Sequence, residues 1–261
     1  MNKSLLLPRE KYAKVSEKYG PSPFTFEIEN GRQSLFYFGA NHSRDPKNRQ
    51  YPILKKYWER FLKVTDGKEK IILIEGTLRE IPKDEKSAII RGAEGNLVTL
   101  FAKKESIPVA CPDTNYDAFI KKMPNINKDN LLLLHFLRWL DNFQKHVDPK
   151  PDFEKSFQKW CDNEKKKEIW SKLNISVDKL SELYKKIIGK EFNKDESQNY
   201  LINPNKTGTI INELSMKHSD LRELNMVSEI KRYWKDGKSI FVVFGGGHLI
   251  IQRPALEKII R

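Results

Sequence analysis

The chain alternates short apolar runs with stretches whose apolar residues recur at helical spacing. Residues 24–29 alternate apolar and polar side chains, and residues 34–38, 71–74, 108–111 and 239–244 are nearly continuous apolar runs. Short runs rich in β-branched and aromatic residues are typical of strands, and continuous runs are typical of strands that are covered on both faces. The pattern therefore predicts five strands.

The segments between these runs carry the periodicity of amphipathic helices. Apolar residues recur at helical intervals in residues 53–62, 89–100, 131–143, 153–160 and 180–188. This spacing places the apolar side chains of each segment on one helical face, where they pack against a neighbouring element. We expect ordinary core packing to be the main role of the aromatic residues in the last three segments.

Strands joined through helices predict the fold class α/β, with a central, mostly parallel sheet and flanking helices. Asn30-Gly31 separates the first two runs and is a turn signal that predicts an N-terminal β-hairpin. No strand pattern interrupts residues 118–203, which we predict to be an all-helical insertion or cap. Residues 1–117 and 204–261 then form the α/β core.

Capping signals predict where the last two helices begin. Ser219 is suited to the N-cap of a helix that runs to Trp234. A terminal helix is predicted to begin after Pro254, because proline is favoured at a helix start, where its missing N–H group costs no hydrogen bond.

A Gly-x-x-His tetrad follows both the second and the last predicted strand. The first copy runs from Gly39 to His42 and the second from Gly245 to His248. Parallel strands present their carboxyl ends at one edge of a sheet, where the loops open into a ligand-binding crevice. We therefore expect the two imidazoles to lie at the same edge.

Acidic residues stand at the ends of two further predicted strands. Glu75 follows one of them and Asp113 the other. Imidazole nitrogen and carboxylate oxygen suit Zn²⁺, Mn²⁺, Co²⁺ or Fe²⁺, and such a site can activate water. We predict His42, Glu75 and His248 as ligands of a divalent metal. Asp113 has two equal interpretations, a turn former and a functional residue.

Two residues on predicted helices add candidate chemistry. Glu94 lies in a helical segment with Gly92 and Gly95 on either side, which suggests close packing; it is either a second acid/base group or a surface residue. Arg222 is suited to clamp a substrate carboxylate or to stabilise an oxyanion, and its alternative is a place with Glu229 on a solvated charged face.

The glycines of the second tetrad have a further interpretation. Gly245-Gly246-Gly247 suits a backbone nest for a phosphate, although the lysine and hydroxyl residues of a P-loop are missing. We predict that Asp45, Asp113, Gly246 and Gly247 contact the substrate.

The charge invites a nucleic-acid interpretation that the distribution of lysines disfavours. The 261 residues carry a formal net charge of +13, with 32% charged and 38% hydrophobic residues, which is a globular profile. The lysines are spread over nearly every predicted helix, without a known nucleic-acid-binding motif. We expect a solvated basic surface rather than specific nucleic-acid binding, and nonspecific binding stays a third hypothesis.

The chain lacks the signals of membrane insertion and secretion. No apolar stretch reaches the ~18 residues of a membrane span, and residues 1–18 lack the apolar centre of a signal peptide. Its two cysteines, Cys111 and Cys161, do not suggest a disulfide framework. We therefore predict a cytoplasmic protein.

The motifs resemble the superfamily that joins the TraB and Tiki proteins, the erythromycin esterases and the haem-binding ChaN-like proteins. That superfamily has two Gly-x-x-His motifs, a glutamate after an apolar strand, and an Arg-x-x-x-Met helix, here Arg222 to Met226, before the second motif. The resemblance covers residues 33–113 and 215–252, and Glu223 stands where TraB and Tiki members usually have Asn.

The resemblance implies a hydrolase of the peptidase or esterase type, assisted by a divalent metal (Zn, Mn or Co), because Tiki members are metal-dependent peptidases and erythromycin esterases open a macrolactone. It implies that His42 and His248 are metal ligands or proton-transfer groups and that Glu75 is a ligand or general base. Glu94 would be a second acid/base group and Arg222 an electrostatic stabiliser. The substrate would be a small molecule or a peptide. The alternative is a non-catalytic protein that binds a small molecule or haem, as ChaN-like members do.

Overall fold

The computed structural model describes residues 3–76, 78, 80–113, 119–120, 125–144, 151–173 and 175–260. In this part of the chain the strands form one five-stranded sheet in the order β1-β2-β5-β3-β4. The hairpin partner β1 is antiparallel to β2, and the other pairs are parallel. The predicted α/β class and the predicted hairpin are confirmed. The strands are β1 (Phe24–Glu29), β2 (Ser34–Ala40), β3 (Lys70–Ile74), β4 (Val109–Ala110) and β5 (Ser239–Gly245).

Helices flank the sheet and also make up a separate segment. They are α1 (Arg9–Tyr19), α2 (Gln50–Val64), α3 (Glu85–Lys104), α4 (Lys128–Gln144), α5 (Phe153–Lys165), α6 (Val177–Ile188), α7 (Asn199–Ile202), α8 (Ile210–Lys235) and α9 (Gly246–Ile259). Short 3₁₀ turns occupy Lys3–Leu5 and Glu168–Trp170. None of the described helices is both long and apolar enough to span a bilayer.

The central strand β5 shows how the sheet is covered on both faces. Ile240, Val242 and Phe244 belong to one buried cluster, and Phe241 and Val243 belong to another. The alternation follows from the two-residue period of a strand. Helices α8 and α9 complete the first cluster, whereas α2 and α3 complete the second. Every residue of β5 is buried, which explains its continuous apolar sequence.

Two predicted helix starts are wrong. Helix α8 begins at Ile210, because the Thr209 hydroxyl accepts a hydrogen bond from the Asn212 backbone N–H and caps the helix, so Ser219 lies inside it. Helix α9 begins directly after β5 and contains Pro254. The proline removes one backbone hydrogen bond, and the extensive burial of this helix outweighs that loss.

The chain divides into two compact units, residues 1–115 with 220–261 and residues 116–219. The sequence predicted one boundary between residues 117 and 118 and another between residues 203 and 204. The first of these lies outside the described residues. The first unit contains the sheet. The second is helical and buries the apolar faces of α4, α5 and α6, including the aromatic rings of Phe136, Phe157 and Trp160.

Candidate functional site

The carboxyl ends of the parallel strands converge within the first unit. Ala40 at the end of β2 pairs with Gly245 at the end of β5. On the other side of β5, the Glu75 backbone N–H donates to the Val243 carbonyl at 3.2 Å. His42 follows β2, and His248 lies in the first turn of α9. The parallel register therefore brings residues from both ends of the chain to one edge.

Glu75 lies at the centre of this edge and contacts both motif histidines. Its Oε2 is 3.2 Å from His42 Nε2 and accepts a 2.8 Å hydrogen bond from the Gly245 backbone N–H. Its Oε1 is 3.2 Å from His248 Nε2 and accepts a 2.9 Å bond from Arg222 Nη2. One carboxylate thus bridges the two imidazoles.

Each imidazole contacts a second carboxylate through its other nitrogen. His42 Nδ1 lies 2.5 Å from Glu94 Oε1, and His248 Nδ1 lies 2.8 Å from Glu223 Oε1. Both of these carboxylates are buried, with 4% of Glu94 and 1% of Glu223 exposed. A ring held at both nitrogens has a fixed orientation.

The carboxylates shift the pKa of both rings upward. Burial of the His42 ring disfavours its charged form, but hydrogen bonds to Glu75 and Glu94 and their negative charges outweigh this effect and raise its pKa to about 10. Burial opposes the charge of His248 in the same way, and the charges of Glu223 and Glu75 raise its pKa to about 10. Burial favours protonation of Glu75, yet the charged histidines hold its pKa well below the usual range.

Arg222 links the second acidic strand end to the centre. Its Nε and Nη2 donate to the two oxygens of Asp113 at 2.6 and 2.7 Å, and Nη2 also reaches Glu75. This geometry is bidentate and charge-assisted. The alternative of a solvated charged face is wrong for Arg222, because its side chain is only 20% exposed and bonds to Asp113 and Glu75. Asp113 likewise does more than form a turn.

A break in helix α3 brings Glu94 to the site. Gly92 and Ala93 have non-helical dihedral angles, and Ala93 has a positive φ of 51°. A Cβ on Gly92 would lie 2.2 Å from Asn96 Cγ, so glycine is required there, whereas a Cβ on Gly95 would meet nothing closer than 4.0 Å. The interpretation of Glu94 as a surface residue is wrong. The predicted close packing of the two neighbouring glycines is confirmed for Gly92 and not for Gly95.

The second tetrad approaches the first through a glycine. A Cβ on Gly245 would lie 2.5 Å from His42 Nε2, so only glycine leaves the ring in place. A Cβ on Gly246 would lie 2.9 Å from Phe24 Cε2, so this glycine is close-packed. Gly247 is partly exposed, and Asp45 is exposed and accepts a hydrogen bond from the Lys47 backbone N–H. Their predicted contact with substrate stays a prediction.

Gly245→Ala is expected to lower the kcat/KM of any hydrolysis at this site by about 10²-fold, because the new methyl group displaces the His42 ring. The displaced atom is the end of a side chain and the Gly245 φ is an ordinary −56°, so the fold is retained. Gly95→Ala, beside Glu94, is the matched control and is expected to keep wild-type activity. Equal activity of both variants would contradict the role of this close approach.

Glu223 and Arg9 also lie at the site, although no sequence pattern predicted them there. Gln252 Nε2 donates to Glu223 Oε2 at 2.7 Å, and Tyr37 Oη donates to Gln252 Oε1 at 3.0 Å, so a buried chain of hydrogen bonds orients the carboxylate. Arg9 Nη2 lies 3.5 Å from Glu223 Oε1. The available signal was an acidic residue directly next to Arg222, the candidate stabiliser.

The imidazole nitrogens and carboxylate oxygens at the site are types of donor atom that suit a divalent metal. Among the described residues, no group of three or more histidine, cysteine and acidic side chains has the spacing of metal ligands. In both histidines, however, a carboxylate holds Nδ1 while Nε2 faces Glu75. Imidazoles whose other nitrogen contacts a carboxylate are common metal ligands.

Comparison of the chain with protein-family models, with curated proteins and with solved structures finds no match.

Proposed function

We propose that the chain hydrolyses ester or amide bonds at the centre formed by His42, Glu75 and His248. The observation that carries this proposal is that one carboxylate contacts both imidazoles, while each ring is held at its other nitrogen by a buried carboxylate. Oriented imidazole and carboxylate pairs are the usual means of general acid–base catalysis.

The two histidines have different access to a substrate. The His42 side chain is 54% exposed, whereas that of His248 is 13% exposed. When no metal occupies the centre, we assign proton transfer to the leaving group to His42, because its raised pKa keeps the ring protonated at neutral pH. His248 and Arg222 hold Glu75 in place from the buried side.

The charges around the rings favour a cation at the centre. Carboxylates of Glu75, Glu94 and Glu223 contact the rings, and Asp113 lies behind Arg222. Arg222 and Arg9 offset only part of this negative charge. Two protonated imidazoles or one divalent cation would supply two further positive charges. If a metal binds, His42 Nε2, His248 Nε2 and Glu75 are the atoms and side chain that would hold it. Such an ion would lower the pKa of bound water and polarise a carbonyl group.

The proposal is tested with purified protein, p-nitrophenyl acetate and a fluorogenic peptide library. We expect hydrolysis of at least one probe, with the rate raised by one of Zn²⁺, Mn²⁺ and Co²⁺ after chelator treatment, and elemental analysis shows which metal copurifies. The matched control is protein in which both His42 and His248 are replaced. Absence of turnover under all conditions, together with a Soret band on haem titration, would replace this proposal with a non-catalytic binding function.

A further inference from the structure

A tyrosine from the N-terminal helix lies over the second tetrad. Tyr12 is on α1, and a Cβ built on Gly247 would lie 3.1 Å from its Oη. Gly247 immediately precedes His248, whose Nε2 contacts Glu75. The hydroxyl therefore lies over the backbone residue that precedes a histidine of the centre.

The segment that carries Tyr12 is fixed to helices α8 and α9 at two points. Arg9 Nε donates to Asp220 Oδ1 at 3.0 Å, and Arg9 Nη2 lies 3.5 Å from Glu223, the carboxylate that holds His248. The Leu7 backbone N–H donates to the Ile251 carbonyl of α9 at 2.9 Å. The position of the tyrosine is thus coupled to the position of the catalytic elements.

The two ends of the Tyr12 side chain have different environments. Its ring packs against the buried cluster between the sheet and helices α8 and α9. None of the hydrogen bonds among the described residues involves its hydroxyl, which is the polar end of a partly buried side chain. Burial raises the pKa of Tyr12, Arg9 opposes this and Glu223 adds to it, so the hydroxyl carries its proton at neutral pH. A fixed donor without a protein partner is available to a ligand.

We propose that Tyr12 is a substrate-contacting residue whose hydroxyl donates a hydrogen bond to the carbonyl oxygen of the bound ester or amide. This inference rests on the proposed hydrolytic function. A donor aimed at the oxygen on which negative charge develops stabilises the transition state more than the ground state. The ring anchors this donor against the core, and the missing side chain of Gly247 leaves room for the hydroxyl above the second tetrad.

Tyr12→Phe tests the inference because it removes only the hydroxyl. With p-nitrophenyl acetate as probe, we expect kcat to fall about 10- to 100-fold and KM to change little, the size expected for a hydrogen bond to a charged group. Tyr19→Phe is the matched control on the same helix, since the Tyr19 hydroxyl accepts from Arg253 Nη1 at 3.0 Å, and it is expected to retain wild-type kcat. Thermal unfolding of both variants should match the wild type.

A binding measurement separates this inference from the proposed function. Acetate, a product of the probe, is titrated into wild-type protein carrying ¹³C-labelled tyrosine and histidine, and we expect the Tyr12 Cζ and His42 resonances to shift with one dissociation constant. Turnover by wild type with unchanged kcat in Tyr12→Phe would overturn the role of Tyr12 alone, as would a shift of His42 without a shift of Tyr12. Absence of both turnover and shifts would overturn both proposals.

Discussion

Replacing His42 by alanine is expected to lower kcat/KM for p-nitrophenyl acetate by about 10³-fold or more, the range of a lost acid–base group. The ring is half-exposed and lies between Glu75 and Glu94, so its removal abolishes proton transfer without opening a cavity in the core. Steady-state kinetics measures the loss, and circular dichroism checks that the fold persists. His248→Ala is expected to reduce activity as strongly.

Asn41→Ala is the matched control for His42→Ala, because Asn41 is an exposed neighbour in the same tetrad and its backbone N–H bonds to Gln50 Oε1 regardless of its side chain. We expect this variant to keep wild-type kinetics. His248→Ala is a harsher change, since it leaves the buried Glu223 without one of its partners. Turnover within threefold of wild type in His42→Ala would contradict the assignment of that ring.

Arg222→Met is expected to lower the free energy of unfolding of the sheet-containing unit by about 3 kcal/mol, the scale measured when one partner of a buried ion pair is removed. The guanidinium bonds to both oxygens of Asp113 and to Glu75, and these two side chains are only 15% and 21% exposed. Without it, two partly buried carboxylates lose their counter-ion. Hydrogen exchange of the β5 amides in urea reports the stability of this unit.

A control and a double-mutant cycle isolate the Arg222 interaction. Arg232→Met removes an exposed arginine of the same helix, paired with Glu229 and Asp236, and is expected to change stability by less than about 0.5 kcal/mol. Asp113→Asn should recover part of the loss in the Arg222→Met background, because it removes one unpaired charge. Equal destabilisation by Arg222→Met and Arg232→Met would contradict the structural role of the network.

The patterns of apolar residues were sufficient to predict the strands and the fold class. The run at residues 239–244 became β5, and the alternation and Asn30-Gly31 turn became the β1–β2 hairpin. Local patterns succeed here because a buried strand must be apolar on both faces and a tight hairpin needs residues that tolerate its turn. Helix starts were less predictable, because caps such as Thr209 compete with equally suitable residues such as Ser219.

Ligands bind where the carboxyl ends of parallel strands meet, and these ends share one edge whatever the details of packing. The sequence therefore also predicted the site residues that follow strands, which are His42, Glu75, Asp113 and His248. The partners of these residues depend on contacts across long sequence separations. Glu223 meets His248 through helix packing, and the kink at Gly92 turns Glu94 toward His42.

Tyr12 lies over the second tetrad because helix α1 packs there, although Tyr12 and Gly247 are 235 residues apart in the sequence. Residue types and periodicity therefore specify which elements form and which ends carry chemical groups. Which nitrogen meets which carboxylate follows from the docking of those elements, because a hydrogen bond requires atoms within about 3 Å and no local pattern constrains positions that closely.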